Sequence, residues 1–353
     1  MNFELDETQA AMGDLTRQVA AGHGGHDRAR EVEAGGGIDR AAWSALGATG
    51  LLAAISAGDG GVVGASEIAS ALGREVVSLP AYALLAALAL LGAVGLDPAR
   101  RSRIEAGDEL ITLAFLEEGI SQVAAARTRV VDGRITGRKT VVPAAAEASA
   151  AIIAAQTSDG VGLFLVELDD PAVALVPVRT TDRLSAAHLE LKGAAAVPIG
   201  DADAVTRAEQ TASVLACASV LGLARRAAEA AATYVTERHQ FGRAIASFQS
   251  PVLRLADAHI DLEAMQVTIQ QAAFQLDAGQ DAAIAVSVAK WWTAGGGHRT
   301  LHTAQHLHGG IGADIEFPAH RYFLRGKQLL DTLGGAAAHA SRLGADLAAG
   351  ARA

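Results

Sequence analysis

Apolar and polar positions alternate at helical intervals from the start of the chain. Glu7, Ala10, Leu15 and Val19 predict a first helix. The glycines from Gly22 to Gly25 and from Gly35 to Gly37 interrupt that pattern. Asp39 is placed to cap a helix running through Trp43, Leu46 and Leu51. Asp59-Gly60-Gly61 predicts a turn before a helix over Ala65 to Val77, followed by an apolar run from Leu79 to Leu96. After Gly107-Asp108 the period shortens. Leu110 to Leu116 is a short apolar run, and Thr128 to Gly137 reads as two strands around an Asp132-Gly133 hairpin turn. Ala151 to Ala155, Val161 to Val166, Val173 to Val178 and Leu189 to Leu191 continue as strands. From Asp203 the helical period returns in long segments, about 204–239, 251–278 and 282–308, with shorter ones over 318–332 and 336–350. Leu255, Ile260, Leu262, Met265 and Ile269 give the second of these a wide apolar stripe.

The expected fold is therefore α+β and mainly α. A helical N-terminal domain (1–109) precedes a middle β-domain (110–202) and a C-terminal bundle of the four-helix type (203–353).

Composition sharpens this picture. Half of the 353 residues are apolar, yet aromatic residues supply only 4%, so the helices must pack through small side chains. A formal net charge of −10 is the wrong sign for a protein that tracks nucleic-acid phosphates. The single cysteine, Cys217, excludes an internal disulfide and a cysteine zinc site, and its apolar surroundings predict a buried, inert thiol. The N-terminal stretch has neither a basic nor an apolar signal region. Pro80, Gly92 and Gly95 interrupt Leu79–Leu96, so a buried helix is expected there and no membrane span. These features predict a cytoplasmic protein.

Two constellations carry candidate chemistry. In Arg238-His239-Gln240-Phe241-Gly242, with Ile245, Phe248 and Gln249 following, Gly242 lies where a long helix must reverse. Arg238 there either offers its planar fork to an anion or caps carbonyls of its own corner; Phe241 and Gln249 either meet a planar ring or belong to the core. The second is Gln305-His306-Leu307-His308-Gly309-Gly310-Ile311-Gly312, whose glycine turn either ends a helix or frees backbone N–H groups for a phosphate. His306 and His308 are two apart and share no helix face, which argues against a metal pair. Gly295-Gly296-Gly297 inside a helical stretch costs about 2–3 kcal/mol relative to alanines, and predicts either a close helix contact, across a subunit interface, or a break. Trp291-Trp292 reads as core, and His320 to Arg325 as a solvated or interface face.

Together, and in this domain order, these motifs resemble the acyl-CoA dehydrogenase family over essentially the whole chain. Trp43-x-x-Leu46-Gly47-x-x-Gly50-Leu51 is similar to an early helix of the family. Gly73-Arg74-Glu75 is similar to its "E-x-G-R" helix end, and Gly133-x-x-x-Gly137-x-Lys139 to its hairpin. The resemblance implies FAD-dependent α,β-dehydrogenation of an acyl-CoA thioester of fatty or steroid type, with electron-transfer flavoprotein as the acceptor. It implies that Arg238, Gln240, Phe241 and Gln249, with His306, Gly309, Gly310 and Gly312, hold the adenosine diphosphate half of a FAD seated in a neighbouring chain. The family usually has Gln at the position of His306.

The pattern departs from the family where a private active site would be. The family's catalytic carboxylate has two places. One falls on Leu333-Gly334-Gly335, counted from Arg325-Gly326-Lys327; the other falls on Ala212, twenty-six residues before Arg238. Neither holds an acid. Glu209 and Asp331, each three residues upstream, remain the candidate bases. Leu116 to Gln122 and Val141 to Ala144 replace the family's Thr-Glu-Pro-Gly-x-Gly-Ser-Asp and Trp-Ile-Thr-Asn runs, which sit against the isoalloxazine and the substrate. The expectation is a subunit of an α2β2 heteromer that completes a partner's FAD site, similar to halves of enzymes that dehydrogenate steroid-CoA side chains in lipid metabolism. The alternatives are a self-sufficient homo-oligomer using Glu209 or Asp331, and a non-catalytic scaffold.

Overall fold

The computed structural model describes residues 3–92, 95–120 and 122–350. Met1 and Asn2 of the N-terminal stretch, two positions of the Leu79–Leu96 run, and Ser121 of the Leu116–Gln122 segment lie outside the described residues. Seven helices come first: α1 (Glu7–His23), α2 (His26–Ala34), α3 (Arg40–Ala48), α4 (Leu51–Ala57), α5 (Gly61–Arg74), α6 (Ala81–Leu91) and α7 (Pro98–Glu105). Asp39 caps α3, its carboxylate accepting from the Ala42 N–H at 3.0 Å. The helix expected to continue through Leu51 instead ends at Ala48, because Gly50 takes a left-handed conformation (φ +81°) and α4 restarts after it. Among the described residues no helix is long and apolar enough to cross a membrane. The apolar run forms α6, buried at every position from Ala81 to Leu88.

Strands β1 (Ile111–Ala114), β2 (Arg129–Val131), β3 (Arg134–Pro143), β4 (Ala150–Thr157), β5 (Gly160–Glu167), β6 (Val173–Val178), β7 (Ala186–Ala195) and β8 (Val197–Gly200) form one mixed sheet in the order β6-β7-β3-β2-β4-β5-β8, with β1 parallel to β4. The β2–β3 hairpin turns at Asp132-Gly133, both at positive φ (+49° and +70°), which suits a two-residue turn.

Helices α8 (Ala202–Glu237), α9 (Gln249–Asp277), α10 (Ala283–Trp292), α11 (His298–His308), α12 (Ala319–Leu330) and α13 (Ala336–Gly350) complete the chain, with the two-residue strands β9 (His239–Gln240) and β10 (Arg243–Ala244) between α8 and α9. The helix α8 is the axis of the molecule. Every residue from Thr211 to Ala224 is buried, and the helix packs on α5, α6, α9, α11 and α12. Where α5 crosses α8, a Cβ on Gly222 would strike the Ser70 carbonyl and one on Gly73 the Ser219 carbonyl, so the two backbones touch. Small side chains thus bring the helices together, as the alanine-rich composition predicts.

The glycine triplet lies in a π-helical turn, Thr293–Gly297, joining α10 to α11. A Cβ on Gly296 would press on Asp261 at 3.2 Å, and one on Gly297 on Val220 at 2.9 Å. These close contacts lie within the chain. Two expectations are reversed. Trp291 is exposed and not core. His320, Arg321 and Arg325 are buried and not solvated, because Arg325 donates to the Val76 and Val77 carbonyls (2.7 Å each) and so ties α12 to the α5–α6 loop.

Candidate functional site

Two regions hold the residues singled out from the sequence. The first is a surface hairpin at the end of α8. The helix stops at Glu237, before Gly242, and Gly242 serves as the second residue of the Phe241-Gly242 turn between β9 and β10. Both turn residues have positive φ, +56° and +79°. That geometry costs a residue with a side chain about 1–2 kcal/mol, so Phe241 is held there at some strain. Its ring is 92% exposed and meets the Phe248 ring edge-on, with centroids 6.2 Å apart. The guanidinium of Arg243 lies 3.9 Å over the other ring. Arg238, Gln240 and Gln249 are also exposed. The Arg238 fork makes no side-chain hydrogen bond or ion pair within the described residues, so it caps nothing and is open to an anion.

Next to it, α11 ends at His308 and Gly309 (φ +64°) turns the chain into a short 3-10 segment, Gly309–Ala313. His306 is exposed, whereas His308 is buried with its Nδ1 2.7 Å from the Ala304 carbonyl. The two point apart, and no metal-ligating cluster occurs among the described residues. Open space surrounds the Cβ positions of Gly309 and Gly310, which leaves their backbone approachable. Gly312 differs: it is buried, and a Cβ there would meet Gln305 and His308 at 3.0 Å. Its role is to close the turn.

The ends of α8 and α11 flank one cleft of about 350 Å3. Tyr234, Glu237, Gln305, His308 and Phe317 line it, and none of the eight residues named from the sequence is part of that lining. Tyr234 stacks on His308 at 4.9 Å, and the buried Gln305 Oε1 has no partner. Sequence reasoning passed over Tyr234 and Gln305. The available signals were the spacing of Tyr234 one helical turn before Arg238 and the position of Gln305 beside His306.

The second region is interior. Ala212 of α8 and Leu333, from the turn after α12, reach it from separate parts of the bundle and line the same void with Tyr82, Leu116, Val141 and Pro143. That void is about 10 Å3, at the limit for one water. A neighbouring void of about 60 Å3 is lined by Tyr82, Leu116, Val141, Pro143, Asp182 and Arg325 among others. Ligand pockets are typically about 300–1,000 Å3. Asp182 is an acid that the sequence did not single out. It accepts from the Thr180 hydroxyl (2.5 Å) and the Leu184 N–H (3.1 Å) in its own loop, and burial raises its pKa.

Glu209 does not face this void. Its carboxylate accepts from Arg342 at 2.9 Å and from the Val123 N–H at 3.3 Å, joining α8 and α13 to the turn before β2; burial raises its pKa against the pull of Arg342. Asp331 is exposed at the end of α12. The turn beyond it is pinned from behind. Buried Lys290 donates to the Thr332 carbonyl at 2.6 Å, and His339 Nε2 to the Leu333 carbonyl at 3.0 Å. Gly334 (φ +98°) has His339 Nε2 only 3.1 Å from where its Cβ would be. The imidazole stands where a side chain at this position would begin, and burial lowers its pKa to about 4.

In the segment before β2, Glu117 is buried against Lys139 (2.6 Å) and accepts from the Arg127 and Thr128 N–H groups at 2.7 and 3.1 Å. Burial opposes its charge, but Lys139 and these donors outweigh it and hold the carboxyl below its usual range.

Comparison with known proteins decides the family. A model of the acyl-CoA dehydrogenase C-terminal domain matches residues 205–345. The chain is 34% identical to acyl-CoA dehydrogenase FadE27 of Mycobacterium tuberculosis over 99% of both chains. The chain belongs to the acyl-CoA dehydrogenase family. Among solved structures it is similar to a variant of the Tcur3481-Tcur3483 steroid ACAD (36% identity, 99% of this chain and 100% of that one, TM-score 0.93). It is also similar to a chain of the ChsE4-ChsE5 complex from Mycobacterium tuberculosis (32% identity, 99% of each, TM-score 0.89). The two places at which the resemblance led us to expect a carboxylate, Ala212 and the turn beginning at Leu333, meet at one void and hold no acid.

Proposed function

We propose that this chain is the non-catalytic subunit of a heteromeric, FAD-dependent acyl-CoA dehydrogenase. It completes the partner's FAD site and contributes no base of its own. The observation that carries this reading is the contrast between the two regions. The interior void shared by Ala212 and Leu333 is about 10 Å3 and has no acid lining it, whereas Arg238 and Phe241 are exposed and open space surrounds the Cβ positions of Gly309 and Gly310. An isoalloxazine and an acyl thioester do not fit the interior. The exposed Arg238 guanidinium, the Gln240 and Gln249 amides and the open Gly309-Gly310 backbone supply the kinds of donor that a diphosphate takes, which supports this reading.

When bound, FAD supplies hydride acceptance from the β carbon of the thioester. The residues of this chain would grip the adenosine diphosphate half: Arg238 by charge-assisted hydrogen bonds, Phe241 by its ring face, Gln240, Gln249 and His306 by polar side chains, and Gly309 and Gly310 by backbone N–H groups, with Gly312 holding the turn shut. The partner would be a second acyl-CoA dehydrogenase chain in an α2β2 assembly, with electron-transfer flavoprotein as acceptor. The substrate would be a steroid-CoA or another bulky acyl-CoA, in line with the steroid ACAD and the two-component complex to which the chain is similar.

Purifying the chain alone and together with its partner tests the reading. The chain alone should carry substoichiometric FAD and reduce none of it with acyl-CoA, and the co-purified pair should be yellow and active. Stoichiometric FAD on the isolated chain, reduced by an acyl-CoA, would overturn it in favour of the self-sufficient enzyme. Glu209 and Asp331 are poorly placed for that alternative, the first held by Arg342 and Val123, the second at an exposed helix end.

A further inference from the structure

A cleft of about 800 Å3 lies where the three parts of the chain meet. Its walls are α2, the connection from β6 to β7, and the start of α12 with the turn before it. It shares no lining residue with the cleft between α8 and α11 and contains none of the eight residues named from the sequence. Its charge is opposite to that of the chain. The charged residues lining it are Arg30, Arg179, Arg183 and Arg321 against Glu33 and Glu316, an excess of two positive charges on a protein of formal net charge −10.

The pairing of these side chains locates the excess. Arg30 and Glu316 neutralise each other at 2.7 Å. Glu33 pairs with the buried Arg321 and lies 3.5 Å from Arg183, so one carboxylate serves two guanidiniums. Arg179 makes no side-chain hydrogen bond or ion pair among the described residues. The uncompensated charge therefore sits on Arg179 and Arg183, both in the β6–β7 connection. That connection is held in place. Asp182 accepts from the Thr180 hydroxyl and the Leu184 N–H, and the Thr181 N–H and hydroxyl donate to Gln328 Oε1 of α12 at 3.2 and 2.9 Å. Arg183 is kept in the left-handed region (φ +62°), an unfavourable backbone that persists only where the surroundings fix it. Two guanidiniums are thus presented from a fixed loop into a concave space that is partly apolar, with Val178, Leu184 and Ile315 in its walls. Walls of low dielectric around one sign of charge focus the field on a bound anion.

We propose that this cleft binds a phosphate monoester, with its phosphoryl group between Arg179 and Arg183 and its organic body against Val178, Leu184 and Ile315. Three features choose this ligand. A phosphate monoester carries about −1.5 to −2 at neutral pH, which matches the excess of two, whereas a carboxylate or a sulfate ester carries one. Planar guanidinium forks pair with phosphate oxygens two at a time. The volume lies within the range of about 300–1,000 Å3 of small-molecule pockets, and walls on three sides enclose a small molecule. The proposal does not rest on the heteromeric reading, and the chain alone tests it.

The test is isothermal titration calorimetry at low salt with 4-nitrophenyl phosphate, AMP, 4-nitrophenyl sulfate and inorganic phosphate. The two phosphate esters should compete for a single site, bind about tenfold or more tightly than the sulfate ester and inorganic phosphate, and weaken as sodium chloride is raised. Whichever ester binds better tells a nucleotide from another organic phosphate. Arg179→Gln with Arg183→Gln should weaken both esters about tenfold or more. Arg179→Gln alone breaks no contact within the described residues. It should weaken them severalfold with an unchanged thermal midpoint, which keeps the test decisive if the double variant does not fold. No binding of either ester at millimolar concentration, equal affinity for the sulfate ester, or parental affinity in Arg179→Gln overturns the proposal. If Arg238→Gln abolishes binding and the cleft variants do not, the phosphate lies at the β9–β10 hairpin and the cleft assignment is wrong. If heptaaspartate displaces the esters and binds more tightly than either, the cleft takes an acidic protein segment, and the small-molecule assignment is wrong.

Discussion

Gly334 and His339 together show why an acid is hard to place in the turn after α12. A glutamate at position 334 would have to adopt φ near +98° and place its Cβ 3.1 Å from His339 Nε2. The backbone cost alone is about 1–3 kcal/mol. Gly334→Glu is therefore expected to lower the thermal midpoint and give no flavin reduction by acyl-CoA in the isolated chain, measured by differential scanning fluorimetry and anaerobic absorbance. The same histidine gives the fold a signature in pH. Its imidazole is neutral in the fold, with a pKa lowered by burial to about 4 from the usual 6.5. The unfolded chain takes up this proton near pH 6.5 and the folded chain only near 4. Its contribution is thus complete above pH 6.5 and lost as the pH falls toward 4. The span corresponds to about 3 kcal/mol at about 1.4 kcal/mol per unit. Urea midpoints for the parent and His339→Phe should converge over that window, and parallel curves would show that the imidazole is not held neutral.

Elements, more than single residues, show what could be read from the sequence. The Asp132-Gly133 hairpin, the Asp39 cap and the long helices were legible because each has a local cause: a turn dipeptide, a capping carboxylate or a sustained period. The break at Gly50 was obscured because the apolar period continues across it. The end of α8 was placed too late because Arg238-His239-Gln240-Phe241 contains no helix breaker, and Phe241 at positive φ belongs to no turn signature. Lys290 and Arg325 could not be read as buried, since their partners are backbone carbonyls at Thr332, Val76 and Val77, far away in sequence. The small-residue composition, by contrast, pointed to the α5–α8 crossing without locating it. Gly222→Ala should cost about 1–3 kcal/mol or more, because the new methyl meets the rigid Ser70 carbonyl and not a flexible side chain. Chemical denaturation measures this, and a neutral result would mean that the crossing can slide apart.

At the scale of the whole molecule, the interior around Ala212 and Leu333 is closely packed. The Glu117–Lys139 pair, the Arg342–Glu209 bridge and the Arg325 tie are buried polar contacts that hold sheet and helices in place around a space too small for a substrate. Function must then be read at the surface, and Arg238 is the sharpest place to ask. Arg238 is exposed, its guanidinium makes no side-chain hydrogen bond or ion pair within the described residues, and it lies three residues before a strained, exposed Phe241. Arg238→Gln removes one charge-assisted interaction, about 1.5–3 kcal/mol, so FAD should bind the co-purified heteromer about ten- to a hundredfold more weakly. The stability and mass of the complex should be unchanged, because nothing inside this chain depends on that side chain. Phe241→Gly should separate the two roles of its neighbour: it relieves the positive-φ strain and so leaves the hairpin at least as stable, yet it too should weaken FAD. The assembled heteromer should hold one FAD for each pair of chains, measured as flavin released on denaturation against protein mass. Two per pair would mean that the closed interior opens, and full retention in Arg238→Gln would take the diphosphate away from this surface.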